Sequence, residues 1–372
     1  MDFLYLTADR IGAPTGGGQV TGNEWQAMQE FRFLPDPDGR GLRFECEVWS
    51  FPDAPRPWGS DDEAASRLRA DPTIRPKLAH IYAGCFTDTV RLLKERGCKV
   101  TYTVAAHDRH VSREEHEALG LPFDYPHLVR DDLWRTYIGG ILAADVVVVP
   151  GEAPRRVLER EGVDPAKIRI IPHGHNPPNL VKPLPARFVV GYLGSPAPDK
   201  GLRYLLAAWK QLNEQHPEAY REAVLVLAGP GTEQLAGMVR AFGGGNVVLR
   251  GWVRDVSDLY GGISLYVQPS ATEGFGIECV EAAAHGRPVI CSDGAGAAEC
   301  ADARIVVDKL PLAFLKNAVE PQDVGAVGRN FVRGPVEQND DVLGHEHFHL
   351  DGNSRSANGN EYISGSAICR EY

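Results

Sequence analysis

Positive charge is in short supply. The chain of 372 residues carries 39 Lys and Arg against 50 Asp and Glu, a formal net charge of −11. A surplus of that sign gives no footing on nucleic acid and little on an anionic membrane. Long apolar runs are also missing, since nothing approaches the roughly 20 consecutive apolar residues of a membrane span. Peripheral membrane association is left open. The start, MDFLYLTADRIG, has no basic stretch and runs directly into a strand pattern, so no secretory signal is expected. Cysteine is sparse and odd in number: seven residues, at 46, 85, 98, 279, 291, 300 and 369, with no Cys-x-x-Cys. Reduced thiols and a cytoplasmic location follow as expectations. A spaced Gly-x-Gly-x-x-Gly is absent from the first strand–helix junction, and no acidic residue closes a second strand about 20 residues on, which speaks against a dehydrogenase. What is present is an ordinary globular composition, 43% apolar, 24% charged and 8% aromatic, at a length that suits two domains.

Strand and helix patterns alternate along the chain, the mark of an open α/β sheet. Asp2–Ala8 reads as an apolar strand. A loop from Gly12 to Gly18 follows, with consecutive glycines at Gly16, Gly17 and Gly18, and Thr21 to Glu24 fits a capping box that opens a helix through Phe31. Such a loop is a candidate anion or ligand cradle, and equally a flexible turn. Further strands are expected at Phe44–Ser50, Leu78–Ala83, Lys99–Ala105, Asp145–Pro150 and Lys167–Pro172. Helices fall between them, one capped by Ser112 to Glu115 and one covering His127–Ala143. Gly174–Pro185 has four prolines and no period, and reads as a linker. The alternation then restarts at Phe188–Leu193 and runs to a last strand at Ala303–Asp308. The expected division is therefore 1–182, 183–310, and an atypical tail, 311–372, rich in Asn, Asp, Gly, Ser and His and expected to be partly disordered. The tail's His345, His347 and His349 alternate; a solvated segment is favoured there over a metal site.

The most informative stretch runs from Gln268 to Glu299. A strand end leads through Gly274-Phe275-Gly276 into a helix starting at Ile277, which Gly286 ends. Glycines keep the turn open, so a ligand can reach the backbone N–H groups at the helix start, where the dipole suits an anion. Glu273 precedes the helix and Glu281 lies a turn inside it, with seven residues between them. Carboxylates so placed can accept hydrogen bonds from sugar or ribose hydroxyls. No Asp-x-Asp stands at a strand end in this half.

That Glu-x7-Glu block resembles the donor-binding motif of the family 4 retaining glycosyltransferases. The preceding segments resemble the family in order: VVGYLGSPAPDKG at 189–201, LVLAGPG at 225–231 and RGWV at 250–253. The first half matches more loosely, at Gly16–Gly18, AAHD (105–108), AADVVVVP (143–150) and IPHGHN (171–176). The resemblance implies an α/β protein of the GT-B architecture, two doubly wound Rossmann-like domains with a cleft between them. It further implies metal-independent transfer of a sugar from a nucleotide-diphosphate co-substrate to an unknown acceptor, with retention and no further cofactor. By it, Lys200 pairs with the diphosphate, Glu281 holds the ribose and Glu273 contacts the donor sugar. The turn Gly274, Phe275 and Gly276 offers backbone N–H groups. Gly229 and Val253 belong to the segments that line the nucleotide, and His107 lies against the sugar as a catalytic group with Glu273. Gly16, Gly17 and Gly18 would form an acceptor or phosphate loop. The family usually has a basic residue where Ser195 stands, and usually ends in a helix that crosses back to the first domain, which the residues after Leu310 do not resemble. A non-catalytic nucleotide-sugar binder and a sugar-nucleotide epimerase are the rival readings.

Overall fold

The computed structural model describes residues 1–13, 16–31, 45–55, 58–123, 126–175, 178–243, 246–299 and 306–307. The tail expectations, including the three alternating histidines and the missing terminal helix, lie outside the described residues.

The first half holds β1 (Phe3–Thr7), α1 (Gly16–Phe31), β2 (Cys46–Ser50), α2 (Gly59–Ala70), β3 (Leu78–Tyr82), α3 (Thr87–Glu95), β4 (Lys99–Thr103) and α4 (Arg109–Ala118). It continues with α5 (Pro126–Val129), α6 (Asp131–Tyr137), α7 (Gly139–Ala143), β5 (Val146–Val149), α8 (Glu152–Arg160) and β6 (Ile168–Ile170). Its strands form one parallel sheet, order β2-β1-β3-β4-β5-β6. The strands contribute its apolar core, as in a sheet with helices on its faces: Leu4, Leu6, Ile81, Val100, Val147 and Val149 are buried in one cluster.

The second half holds β7 (Val189–Leu193), a 3₁₀ turn at Pro198–Lys200, α9 (Leu202–Gln215), β8 (Val224–Ala228), α10 (Ala236–Met238), β9 (Val247–Gly251) and α11 (Val256–Gly261). Then come β10 (Leu265–Gln268), α12 (Ile277–Ala284), β11 (Val289–Ser292) and β12 (Val306–Val307). Its parallel sheet has the order β12-β11-β10-β7-β8-β9. Because β7 pairs with β8 on one side and β10 on the other, the strand order reverses at β7 and β10. In an open α/β sheet, ligands bind beyond the strand ends at such a point. Here the loops that meet there are the one carrying Ser195 and Lys200 and the one carrying Glu273.

Between Ile170 and Val189 no described residue belongs to a helix or strand. The fully buried Arg287 guanidinium holds the end of this connection, donating to the carbonyls of Lys182 and Pro183 and to that of Ile263. An arginine can be buried so because each carbonyl replaces lost hydration.

Four local expectations are corrected. Gly16, Gly17 and Gly18 are not in a loop but open α1, so the loop after β1 is shorter than expected. Thr21 therefore lies inside α1 and does not cap it. Ser112 likewise lies inside α4, whose cap is Asp108: its Oδ1 accepts from the N–H of His110 at 3.0 Å and of Val111 at 3.3 Å. Asp108 precedes the helix in extended backbone, as a cap must, whereas Ser112 already takes a helical bond from its N–H to the Asp108 carbonyl. The single helix expected over His127–Ala143 is three short ones, since Arg130 and Ile138 each end a segment. Among the described residues no helix is long and apolar enough to cross a membrane.

Candidate active site

Glu273 is the centre of the site. It follows β10 in a turn that leaves the sheet, and its N–H bonds the carbonyl of Gly294 at 2.9 Å. Its carboxylate is buried, and Lys200 Nζ donates to Oε2. Ser270 and Gln268 lie against the same oxygen at 3.3 and 3.4 Å, and the Gly274 N–H donates to Oε1 at 3.2 Å. Burial alone would raise this carboxyl, but Lys200 and then His107 outweigh it and hold it below the ordinary carboxylate range. Lys200 in turn stays charged: burial works against it, and Glu273 more than compensates.

The loop after β4 closes over this pair from the first sheet. His107 Nε2 lies 3.7 Å from Glu273 Oε1, and its Nδ1 lies 3.7 Å from Asp199 Oδ2. The loop is fixed on the second half by the Asp108 N–H, which donates to Thr272 Oγ1 at 2.8 Å. Arg160 bonds Asp108 Oδ2 at 2.6 Å and, against the opposing effect of burial, keeps its carboxyl below the usual range. Gly274 makes the approach possible, because a Cβ there would sit 2.6 Å from the Ala105 Cβ. Further out, Ser112 donates to Asp199 at 3.2 Å, and Glu115 takes the Tyr204 hydroxyl at 2.7 Å and pairs with Arg203 at 2.9 Å.

The remaining expected residues surround this centre. Glu281 is buried on α12 and accepts the Tyr260 hydroxyl at 2.8 Å, with His175 Nδ1 3.9 Å from its other oxygen. Burial raises its carboxyl, and the Tyr260 bond offsets only part of that. Phe275 is buried and meets the His173 ring edge-on at 5.1 Å. Burial lowers the basicity of His173, and that of His175 as well. Gly276 stands before α12 in left-handed backbone. Ser195 accepts the Tyr192 hydroxyl at 2.8 Å on its backbone carbonyl. Gly229 packs on the Gly194 carbonyl beside it, and Val253 is buried in the core below α12. Gly16, Gly17 and Gly18 form the first turn of α1 in the first half and have no described contact with the Lys200–Glu273 centre.

Four groups escaped the sequence reading. Asp199 and Thr272 become site residues only because the two sheets meet. His175 faces Glu281 from the connection between them. Glu278, in the first turn of α12, carried the one available signal: an acid on a helix that is otherwise apolar apart from Glu281. Burial, and after it Glu273, push its carboxyl up to about 7. Asp199 is held low, since His107, Lys200 and Ser112 outweigh the effect of burial.

Comparison with known proteins agrees with this layout. Residues 187–320 match the family model of the glycosyl transferases, group 1. No curated protein sequence matches the chain. Among solved structures, sucrose-phosphate synthase from Thermosynechococcus elongatus aligns with a TM-score of 0.63 at 20% identity, over 90% of this chain and 94% of that one. HepE from Anabaena, in complex with UDP-glucose, aligns with a TM-score of 0.56 at 17% identity, over 90% and 96% of the two chains. The lipopolysaccharide outer core galactosyltransferase WaaB aligns with a TM-score of 0.54 at 12% identity, over 90% and 91%. The fold is GT-B, the two-domain architecture of these glycosyltransferases. Within it, residues 187–320 are the stretch similar to the group 1 glycosyl transferases.

Proposed function

We propose that the chain is a retaining glycosyltransferase, which moves a sugar from a nucleotide-diphosphate donor to an acceptor hydroxyl in the cytoplasm without a metal ion. The observation that carries the reading is the Lys200–Glu273 pair at the strand-order reversal, beside the start of α12 and facing His107. A leaving diphosphate needs positive charge and oriented dipoles, and Lys200 with the first N–H groups of α12 supplies both. Glu273 and His107 would hold the donor sugar, Glu281 the ribose, and the backbone near Gly229 and Val253 the base. That HepE binds UDP-glucose supports a nucleotide-sugar donor.

The test has two arms. A thermal-shift screen with UDP-, GDP- and ADP-sugars is expected to raise the melting temperature with one base, because a ligand that binds only the native state stabilises it. Product analysis with that donor is expected to show the donor's anomeric configuration preserved and turnover unaffected by EDTA. Inversion would remove the retaining assignment, and EDTA-sensitive turnover restored by a divalent ion would remove the metal-free one. Binding without transfer or hydrolysis would favour the non-catalytic binder, a reading to which Ser195 lends some support because it brings no charge to the diphosphate.

His107→Ala is expected to lower turnover by roughly 10²-fold, the scale of losing one preorganised polar group from a reacting centre. Nucleotide affinity should change little, since His107 meets the carboxylates of Glu273 and Asp199, neither of which is assigned to the ribose, the base or the diphosphate. Steady-state kinetics checks this, and unchanged kcat would end the catalytic assignment.

A further inference from the structure

His175 and Glu281 face each other with hydrogen bonds unmade. Glu281 is buried on α12. Its Oε2 accepts from the Tyr260 hydroxyl at 2.8 Å, and among the described residues no donor bonds its Oε1. His175 comes from the connection between the two sheets, and its side chain is only 20% exposed. Among the described residues neither of its ring nitrogens makes a hydrogen bond. Its Nδ1 stands 3.9 Å from Glu281 Oε1.

A separation of 3.9 Å is beyond a hydrogen bond. The contact is not an ion pair either, since burial, and after it His285, lower the basicity of His175 and leave the imidazole neutral near pH 7. His285 does not complete the pair. Its Nδ1 lies 2.7 Å from the Glu281 carbonyl oxygen and its Nε2 lies 3.1 Å from Ser257 Oγ, and its ring centre is 6.3 Å from that of His175. A buried carboxylate oxygen and a largely buried imidazole both call for a partner. One hydroxyl oxygen about 2.8 Å from each atom would serve both, giving its proton to Glu281 and accepting from the imidazole N–H.

We propose that His175 is a second ligand of the donor's ribose, and that one ribose hydroxyl bridges its Nδ1 and Glu281 Oε1. The inference rests on the nucleotide-sugar reading above and deepens it, because it makes His175 a specificity-determining residue for the sugar of the nucleotide. An analogue without the bridging hydroxyl leaves both atoms unpaired again, and a site built to hydrogen-bond a hydroxyl rejects the analogue that lacks it. The bridge also ties the connection between the sheets to α12 when the donor is bound.

The probes are UDP, GDP and ADP, each with its 2′-deoxy and 3′-deoxy analogue. For the nucleotide that binds, calorimetry on the wild type is expected to show at least one of the two analogues bound about 10- to 100-fold more weakly, the scale of a hydrogen bond to a charged group. His175→Ala should shrink one of these penalties by about three- to tenfold, the scale of a neutral hydrogen bond, and leave the other as it is. His175→Asn, whose side-chain amide nitrogen can take the place of Nδ1, should restore much of the discrimination. A histidine that only supports the fold would, on removal, weaken the parent nucleotide and both analogues alike. That result, or His175→Ala with both ratios and the affinity unaltered, overturns the proposal. A wild type that binds a nucleotide with no preference for either hydroxyl overturns it too, while the nucleotide-sugar reading stands. If none of the three diphosphates binds, that reading fails and this proposal with it.

Discussion

Lys200→Met is expected to weaken donor binding by about one to two orders of magnitude, from the roughly 1.5–3 kcal/mol of a charged hydrogen bond to phosphate. It should also cost stability, and the two effects can be separated. The Lys200 and Glu273 side chains are both largely buried, 19% and 9% exposed. Removing one partner of a buried pair leaves an uncompensated charge, at a cost of about 3–5 kcal/mol. The cost depends on pH with a definite sign. Without Lys200, the principal opponent of burial is gone, and the folded-state pKa of Glu273 rises above its unfolded value. A carboxyl of that kind is not penalised below its unfolded pKa and loses stability as pH rises through the folded one. The stability deficit of Lys200→Met should therefore be smaller at pH 5 than at pH 8. Lys200→Met combined with Glu273→Gln should recover much of the stability but none of the affinity. Urea titrations at the two pH values and binding of the nucleoside diphosphate decide the matter. Unaltered affinity in Lys200→Met would place the phosphates elsewhere.

Gly201→Ala is expected to be as damaging, through the backbone. Gly201 follows Lys200 with φ of 72°, and a Cβ there would fall 1.9 Å from the Pro269 carbonyl oxygen. Pro269 begins the loop that carries Glu273, so the two loops approach backbone to backbone, and the contact is what brings Lys200 onto Glu273. Alanine in left-handed backbone costs about 1–2 kcal/mol by itself. Moving Pro269 adds to that, and a total loss above roughly 3 kcal/mol is expected, within the range of strained-backbone mutations. Gly97 provides the control. Its φ is 81° with nothing within 4 Å of the would-be Cβ, so Gly97→Ala should pay the backbone penalty alone. Equal losses in the two variants, measured by denaturant unfolding, would show that the Pro269 contact yields without cost.

The sequence by itself determined the architecture. Apolar β-branched runs alternate with helical patterns, and in a sheet covered on both faces such runs have few alternatives to parallel pairing. It also determined the strand–loop–helix around Glu273, Gly276 and Glu281, because those residues lie close together in the chain and their geometry is set by local backbone preferences. Lys200 was legible for the same reason, bracketed by a strand and a glycine. Local signals failed where two of them competed. Thr21 and Ser112 both fit capping boxes, yet α1 already begins at Gly16, and Asp108 caps α4. The tertiary structure alone decided what stands around Glu273. Asp108 and Thr272 are 164 residues apart and bond each other, and His107 reaches Asp199 and Glu273 only because Gly274 lets the two halves touch. It also decided the opposite charge preferences of Glu273 and Glu278, two glutamates in one short segment. Their difference comes from burial and from where the Lys200 ammonium ends, and neither is a property of the residues between them.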